Sequence, residues 1–363
     1  MKLAIIGLGL RMSGMVKKFY ELYPDLKVVG ILDKNPEAVS RLPEALRNDV
    51  PVFSDVDELV CKTRPDALAI GTNCNTHAEF AVRVAKYNLP LFLEKPVAIS
   101  MEQAQALEAA YGHDGGDKVV VSFPLRVTPL CRRSKQLIDQ GAIGRVDHVM
   151  AVNYVRYGNV YFDTWYRDYS IVQGLFLQKA THDFDYLSYL VGAPISRVAA
   201  MASYGRVYRD TKTLHGTPDP NAIYLPDIGT PEEGMNEDAS SALLEFANGA
   251  KGVYTQVFYT KGYPRRGATL SGFRGTLDFE WHRGDIQVYH HRDPFKERHE
   301  LANTESHFGG DEPLAQAFVD LVTKGTPSPT PLTVGLESVY ACLAAKQSAE
   351  TGAFVEVRQV GSC

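Results

Sequence analysis

The sequence contains few cysteines, and their spacing excludes two common ways of stabilising a protein. Among its 363 residues there are five cysteines, namely Cys61, Cys74, Cys131, Cys342 and Cys363. An odd number of cysteines with no C-x-x-C pair argues against a disulfide framework and against a structural zinc site. This pattern is typical of a reducing compartment, so we expect a cytoplasmic protein.

The chain also lacks a strong excess of one charge and a long apolar run. Its formal net charge is −5, with no basic run and no acidic tail, so neither nucleic acid nor an anionic membrane is an expected partner. No run of about 18 apolar residues is present, and no membrane span is expected. The apolar segment Met1–Leu10 is interrupted by glycines and precedes no cleavage site, so it indicates a strand entering a turn rather than a signal peptide.

The first 122 residues alternate short apolar runs with amphipathic stretches. The apolar runs predict the strands Leu3–Ile6, Val28–Leu32, Ala67–Ile70, Leu91–Leu93 and Val119–Val121. The amphipathic stretches predict helices over Met15–Tyr23, Pro36–Leu46, His77–Tyr87 and Met101–Tyr111. This alternation indicates parallel βαβ units, and continuous apolar strands indicate a sheet covered on both faces. We therefore predict an α/β fold whose N-terminal domain, residues 1–122, is a Rossmann doubly wound parallel sheet.

From residue 123 onward, strands follow one another without intervening helices. The predicted strands are Val146–Tyr154, Val198–Tyr204, Ser240–Phe246, Lys251–Phe258, Ala268–Gly272, Thr276–Trp281 and Asp285–His290. Predicted helices cover Pro129–Gln140, Leu175–Leu190, Glu312–Thr323 and Val334–Glu350. Consecutive strands separated by turn signals indicate antiparallel pairing, so residues 123–363 are predicted to form an α+β domain with a large, mostly antiparallel open sheet. The segment Val207–Glu237, rich in Pro, Gly, Asp and Thr, is predicted to be a surface excursion that serves as a lid or a subunit contact.

The first predicted strand runs into Gly7-Leu8-Gly9, which opens a helix. A tight turn at this point requires a residue that tolerates positive φ, and pyrophosphate approaches most closely a backbone without Cβ. The N–H groups of the first helical turn, at Leu10, Arg11 and Met12, then face the phosphates. Met12 occupies the third glycine position of the G-x-G-x-x-G fingerprint, and Gly14 is a candidate to restore the close packing. The motif favours a dinucleotide site, with a plain glycine turn as the alternative.

Asp33 ends the second predicted strand, 24 residues after Gly9. This is close to the spacing of about 20 residues expected for the acid that binds the ribose hydroxyls. A carboxylate there repels a 2′-phosphate, so NAD is the predicted cofactor. Lys34 partly relieves that repulsion, and NADP remains the alternative. The structural alternative is that Asp33 caps a helix beginning at Asn35–Pro36.

The strand Leu91–Leu93 is followed by Glu94-Lys95-Pro96. Ligands of open α/β sheets bind at such strand ends, although a surface ion pair is the alternative meaning of adjacent Glu and Lys. Five segments occur in the order of the Gfo/Idh/MocA oxidoreductases, and the chain resembles that family over nearly its whole length, ending with Leu332–Val357. These segments are Gly7-Leu8-Gly9, Thr72–His77, Glu94-Lys95-Pro96, Gln140–Val146 and Gly174–Asp185.

The family takes its name from glucose–fructose oxidoreductase, inositol dehydrogenase and a rhizopine-catabolism protein. The resemblance implies a Rossmann domain followed by a domain with an open antiparallel sheet, whose back often forms the oligomer contact. Lys95 matches the active-site lysine, which would bond the substrate hydroxyl and the nicotinamide ribose. Glu94 would hold Lys95 in place, and Pro96 would fix the turn, with a cis peptide bond as one option.

Other cofactor and substrate residues follow from the same resemblance. Thr72, Asn73 and His77 match the loop that passes under the dinucleotide, although Asn73 and Cys74 depart from the usual residues. Arg126 follows the last Rossmann strand, as an arginine often does in the family. Trp165 and Arg167 resemble a W-R element, with Tyr166 inserted. These matches imply cofactor contact by Trp165 and substrate contact by Arg126 and Arg167.

The segment Gly174–Asp185 carries a departure from the family pattern. His182 matches the family histidine, but Gln178 stands where the dehydrogenases usually carry an aspartate. On a regular helix, positions 178 and 182 share one side, and Lys179 also lies within reach of that side. A second lysine near Lys95 would lower the pKa of either lysine by repulsion, helping one of them to act as a base.

We therefore predict a catalytic group of Lys95, Lys179 and His182. His182 or a lysine would take the hydroxyl proton while hydride moves to nicotinamide C4. In the alternative, Lys179 only extends to solvent and Gln178 hydrogen-bonds the substrate. Asp183 is predicted either to orient the helix or to bind substrate.

The resemblance implies an NAD(P)-dependent oxidoreductase that acts on a CH–OH group of a sugar, cyclitol or related polyol. Two alternatives remain: a glycoside hydrolase that oxidises its substrate transiently with bound NAD, and a dinucleotide-binding protein without catalytic activity. The predicted assembly is a homo-dimer or homo-tetramer formed through the C-terminal sheet. No metal site is predicted, because the adjacent His290 and His291 point to opposite faces of a strand and no carboxylate spacing supports a site at His299 or His307.

Overall fold

The computed structural model describes residues 1–158, 160–207, 235–260, 262–301 and 306–362. Their contacts divide the chain into two compact units. The first unit comprises Met1–Thr128, Gly309–Val339 and the residues from Val360 on. The second unit comprises Pro129–Phe308 and Tyr340–Gln359. Each unit has its own sheet.

The regular elements alternate early in the chain and become strand-rich later. The strands are β1 Lys2–Ile6, β2 Lys27–Leu32, β3 Val52–Phe53, β4 Ala67–Ile70, β5 Leu91–Leu93, β6 Val119–Val121, β7 Val146–Tyr154, β8 Ile195–Tyr204, β9 Glu237–Phe246, β10 Lys251–Val257, β11 Arg265–Gly272, β12 Gly275–Glu280, β13 Asp285–His290, β14 Lys296–Glu300 and β15 Val355–Glu356. The α-helices are α1 Leu10–Leu22, α2 Val56–Thr63, α3 His77–Ala85, α4 Met101–Gly115, α5 Pro129–Asp139, α6 Val160–Asp163, α7 Tyr169–Val172, α8 Thr181–Val191, α9 Asp311–Lys324 and α10 Leu332–Thr351.

The sheet of the first unit is the predicted doubly wound parallel sheet. Its strand order is β3-β2-β1-β4-β5-β6, and every neighbouring pair is parallel. The order reverses direction beside β1, so the ends of β1 and β4 form the crevice in which such sheets bind ligands. All five strands predicted for this half are confirmed. Strand β3 and helix α2 were missed, because two residues and eight residues carry little periodic signal.

The predicted helix over Pro36–Leu46 is wrong. The chain forms two 3₁₀ turns there, Pro36–Arg41 and Glu44–Leu46. Pro43 supplies the physical reason, because proline lacks an N–H and disfavours helical geometry at the residue before it. Arg41 is the last residue of the first 3₁₀ turn, and its side chain bonds the glycine turn described below.

The core of the first unit includes residues from a late part of the chain. Phe318 of α9 packs against Phe19 of α1 and Phe92 of β5, with ring centroids 4.9 and 5.6 Å apart. Because α9 completes this core, the first unit is not one continuous stretch of the chain. The predicted domain boundary, in contrast, placed every residue after 122 in a second domain. The linear division into 1–122 and 123–363 stays a prediction.

The second unit is built on the predicted large sheet. Its order is β14-β13-β12-β11-β7-β10-β9-β8-β15, and only β7 and β10 pair in parallel. Helices α5 and α8 pack on one face of this sheet. The opposite face carries exposed apolar side chains, including Met150, Met201 and Leu243.

Two further predictions for the second half need correction. The expected regular helix over Leu175–Leu190 begins as a π-helix, Phe176–Ala180, and continues as α8. The assumption that Gln178 and His182 are related by a regular helical turn is therefore wrong. Of the predicted excursion Val207–Glu237, residues 208–234 lie outside the described part of the chain, and Glu237 begins β9. No helix in the described ranges is long and apolar enough to span a membrane.

Candidate active site

The turn after β1 has the geometry that a bound pyrophosphate requires. Gly7 has φ +78°, and a Cβ there would lie 2.5 Å from Thr72 Cγ2 and 2.7 Å from Thr72 Cα. Glycine is therefore required at position 7 both by conformation and by space. Gly9 precedes the first residue of α1 and offers no side-chain cap, so the first turn of the helix suits an anionic group. Leu10, which follows, is 88% exposed at the mouth of this turn.

Met12 stands in place of the third glycine of the fingerprint, and a glycine after a different strand, β4, leaves room for its side chain. Met12 is fully buried, and a Cβ on Gly71 would lie 2.7 Å from Met12 Cβ. Close packing of α1 thus depends on Gly71, which follows β4. A Cβ on Gly14 would meet nothing within 4 Å, so the suggestion that Gly14 restores the packing is wrong. The side chain of Met12 packs in the core, and the predicted contact of its N–H group with the phosphates stays a prediction.

Asp33 joins the end of β2 to the glycine turn. Its Oδ2 accepts a hydrogen bond from the N–H of Leu8 at 2.8 Å, and its Oδ1 accepts one from the N–H of Asn35 at 2.8 Å. The following 3₁₀ turn is capped by the Asn35 side chain, and Asp33 bonds the N–H of that capping residue. Asp33 therefore contacts both the glycine turn and the start of the 3₁₀ turn. Arg41 donates from Nη1 to the carbonyl of Leu8 at 2.8 Å. Sequence reasoning missed Arg41, because no motif marks it.

Arg11 is held by two carboxylates of its own unit. Its Nε lies 3.3 Å from Glu94 Oε1, and its Nη2 lies 2.8 Å from Asp311 Oδ1. Burial lowers the pKa of Arg11, but the two carboxylates outweigh burial and raise it. The guanidinium of Arg11 binds the Glu94-Lys95-Pro96 turn, and the predicted contact of the Arg11 N–H group with the cofactor stays a prediction. Asp311 was not predicted, because it lies 300 residues further along the chain.

His77 links the two loops that follow β4 and β5. Its Nδ1 lies 2.8 Å from the carbonyl oxygen of Pro96, and its Nε2 lies 3.0 Å from that of Thr72. The ring is buried, and burial lowers the pKa of His77. The Lys95–Pro96 peptide bond is cis. Because β4 and β5 are neighbours in the sheet, these contacts place Thr72 and Lys95 at one edge of it.

In the second unit, Asp183 is the centre of a buried hydrogen-bond network. Its Oδ2 accepts from Asn153 Nδ2 at 2.9 Å and from Tyr254 Oη at 2.8 Å. Its Oδ1 accepts from Arg266 Nε at 2.9 Å. Asp183 has no exposed surface, so this placement favours the helix-orienting role over substrate binding.

Lys179 lies in the π-helix between two tyrosines. Its Nζ donates to Tyr157 Oη at 3.2 Å and is 5.1 and 5.2 Å from the ring centroids of Tyr157 and Tyr161. Only 7% of Lys179 is exposed, so it does not extend to solvent as the alternative required. Burial lowers the pKa of Lys179, but the oxygens of Tyr161 and Tyr157 raise it more. The expected lowering of the Lys179 pKa is therefore not supported.

Glu237 fixes the start of the π-helix. Its carboxylate accepts hydrogen bonds from the N–H groups of Leu175 and Phe176. Gly174 has φ +97°, and a Cβ there would lie 2.9 Å from Glu237 Oε1. Burial raises the pKa of Glu237. Sequence reasoning missed this residue because it was placed in the surface excursion.

The remaining predicted residues occupy different environments. Gln178 and His182 are buried in the second unit and lie close to Lys179 along the chain. Arg126 is buried in the first unit. Trp165 is 43% exposed and stacks on Tyr166, with ring centroids 3.9 Å apart. Arg167 and Asn73 are exposed. Within the described ranges, no cluster of His, Cys, Asp and Glu could hold a metal ion.

A doubly wound parallel sheet, a glycine turn before α1 and an acid at the end of β2 define a dinucleotide-binding domain. Comparison with known families agrees. Residues 1–121 match the profile described as an oxidoreductase family with an NAD-binding Rossmann fold. Residues 131–278 match the GFO/IDH/MocA C-terminal domain. The chain belongs to the Gfo/Idh/MocA family, and the predictions of family, fold class and NAD as cofactor are confirmed.

Individual relatives are similar over different lengths. The oxidoreductase YteT of Bacillus subtilis (strain 168) is 31% identical over 175 residues, which cover 46% of this chain and 40% of YteT. Inositol 2-dehydrogenase 2 of Saccharopolyspora erythraea is 25% identical over 264 residues, covering 72% of this chain and 68% of that protein. The structure of a levoglucosan dehydrogenase in complex with NADH has a TM-score of 0.78 at 21% identity, covering 99% of this chain and 100% of that one.

Proposed function

We propose that this protein is an NAD-dependent oxidoreductase that moves a hydride between nicotinamide and a hydroxyl-bearing carbon of a sugar, cyclitol or related polyol. The family and relatives named as inositol 2-dehydrogenases support this class of reaction. The observation that carries the proposal is the placement of Lys95. It follows β5 in a turn bound by Arg11 and His77, at the sheet edge that carries the glycine turn. When bound, the cofactor supplies the hydride chemistry, and the protein supplies orientation and proton transfer.

The site residues divide into three roles under this proposal. Lys95 donates hydrogen bonds to the reacting hydroxyl and to the nicotinamide ribose, and Glu94 and Arg11 hold its turn in place. His182 accepts the hydroxyl proton, because the raised pKa of Lys179 favours its ammonium form, which has no lone pair to accept a proton. Arg126, Arg167 and Gln178 contact the substrate, and Trp165 contacts the cofactor.

The contacts of Asp33 support NAD over NADP. Its carboxylate lies at the end of β2, bound to the backbone of the glycine turn. A 2′-phosphate on the adenosine ribose would be repelled by this charge, whereas a ribose with free hydroxyls would donate to it.

The proposal is tested by incubating the protein with a panel of sugars and cyclitols and either NAD or NADP, and following the absorbance of the reduced cofactor. We expect NAD reduction with at least one polyol and a lower kcat/KM with NADP. Cleavage of a glycoside without net NADH would instead establish the redox-assisted hydrolase. Binding of NADH without turnover of any compound would establish a non-catalytic protein.

We also propose that the protein forms a homo-dimer or homo-tetramer through the outer face of the second unit's sheet. On that face the strand register aligns Ala199, Leu243, Val253 and Met150 in one row across four strands. Met150 and Leu243 are 53% and 51% exposed, and an apolar row of this kind suits a two-fold interface. Light scattering should give twice or four times the chain mass, and Leu243→Asp should lower it. A monomeric wild-type protein would contradict the proposal.

The cysteine pattern supports a cytoplasmic location, because a chain with an odd cysteine count and no C-x-x-C pair suits a reducing compartment. Fractionation of the source cells tests this proposal. Recovery with secreted or membrane fractions would contradict it.

A further inference from the structure

The second unit buries a cation that has no carboxylate partner among the residues that the structure describes. Lys179 is 7% exposed, and no carboxylate among the described residues lies within ion-pair distance of its Nζ. Its partners are the Tyr157 hydroxyl and the faces of two rings. The hydroxyls of Tyr161 and Tyr157 raise the pKa of Lys179 and outweigh the lowering effect of burial. A buried ammonium without a counter-charge is costly unless a ligand supplies one.

A second buried cation lies in the same neighbourhood and is only partly satisfied. Arg266 is also 7% exposed, and its Nε is paired with Asp183. Its Nη2 is buried and makes no hydrogen bond within the part of the chain that the structure describes. Arg266 is close enough to Lys179 to lower the pKa of that lysine. Two carboxylates lie near this pair among the described residues: Asp183 binds Arg266 Nε, and Glu280 accepts a hydrogen bond from the backbone N–H of Arg266. Neither is bonded to Lys179 Nζ or to Arg266 Nη2.

We propose that the substrate is a sugar acid, such as a uronate or an aldonate, whose carboxylate binds Lys179 and the unfilled Nη2 of Arg266. The proposal rests on the polyol oxidoreductase function and names the substrate class of that site. A carboxylate presents two oxygens to these two donors and carries one negative charge, whereas a phosphate ester carries close to two. Carboxylates also accept hydrogen bonds from ammonium and guanidinium groups with favourable geometry.

Tyr157 connects this buried pair to the surface. Its side chain is 55% exposed, while its hydroxyl is the acceptor for Lys179 Nζ. A carboxylate that arrives at this position takes over or shares the role of the phenol oxygen, and the Tyr157 ring then borders the bound sugar.

The test compares matched pairs of compounds that differ only in the acid group, such as glucose with glucuronate and galactose with galacturonate, together with the 6-phosphates. For each compound kcat/KM is measured with NAD. We expect the preferred acid to exceed its neutral parent by about 10- to 100-fold, the factor typical of a buried hydrogen bond to a charged group. Equal values for acid and parent, or a preference for the phosphate ester, would overturn the proposal.

Each variant is judged by the ratio of its kcat/KM for the acid to its kcat/KM for the neutral parent. A general loss of activity lowers both values equally and leaves this ratio unchanged. Lys179→Arg should retain the preference, and Lys179→Met should bring the ratio close to one. The matched control is Lys135→Met, since Lys135 also lies near a tyrosine ring but is paired with Asp139. An unchanged ratio in Lys179→Met would overturn the proposal.

If the Lys179→Met variant has no turnover, the dissociation constants of glucuronate and glucose are measured by calorimetry instead. The measurement uses the NADH-bound forms of the wild type and of the variant. Tighter binding of the acid by the wild type alone supports the proposal, and equal tightening in both proteins contradicts it. Failure of the underlying function looks different, because no compound of either kind would then reduce NAD.

Discussion

Replacing Lys95 by methionine is expected to lower kcat/KM for the preferred polyol by about 10²- to 10³-fold, the range typical of removing a hydrogen-bond donor to the reacting oxygen. Methionine keeps the apolar stem of the side chain and removes its ammonium. The glycine turn and Asp33 are unchanged in this variant, so the dissociation constant for NADH should change less than about tenfold. Steady-state kinetics and NADH fluorescence titration measure the two quantities separately.

The control for this experiment is Lys118→Met. Lys118 belongs to the same unit, and its Nζ bonds the side chain of Asn88 at 3.1 Å in an exposed position. We expect its activity to equal that of the wild type. Full kcat/KM in the Lys95→Met variant would show that the lysine after β5 takes no part in the reaction.

Replacing Asp183 by alanine is expected to destabilise the protein by about 3–5 kcal/mol, the cost typical of leaving one partner of a buried ion pair alone. Arg266 would lose its side-chain carboxylate partner in a buried position, and Asn153 and Tyr254 would each lose an acceptor. In urea unfolding curves, the transition that involves the second unit should have a lower midpoint concentration. The dependence of its unfolding free energy on urea concentration should be unchanged.

Two comparisons separate this effect from a general intolerance to substitution. In the double variant Asp183→Ala with Arg266→Met, the uncompensated charge is gone, so the loss of stability should be smaller than in Asp183→Ala alone. Asp139→Ala removes the exposed partner of Lys135 and should cost less than about 1 kcal/mol. Equal losses in the single and double variants would argue against a charge-based cause.

Much of the fold was predictable because its signals are local. Strands β1, β2, β4, β5 and β6 are continuous apolar runs, and β7 and β13 were predicted with the bounds they have. The elements that escaped prediction carry weak signals. Strand β3 has two residues, and β14 is the charged sequence Lys296–Glu300 at an edge of its sheet. The π-helix was also missed, because hydrophobic periodicity does not distinguish it from the start of an α-helix.

The candidate site was predictable only in part. The motif residues Gly7, Asp33 and Lys95 lie at strand ends of the first sheet, as their positions after apolar runs required. Arg41 and Glu237 belong to no motif and reach their partners only through tertiary folding.

The sequence by itself determined the parallel sheet, the glycine turn and the acid after β2, because each depends on the conformation or periodicity of neighbouring residues. Only the tertiary structure decided which charges are compensated. Arg11 finds Asp311 across 300 residues, and Asp183 finds Arg266 across 83 residues. Lys179 meets two aromatic rings instead of a carboxylate. Which charged groups pair depends on the distance between them in the folded protein. The order of residues along the chain does not reveal that distance.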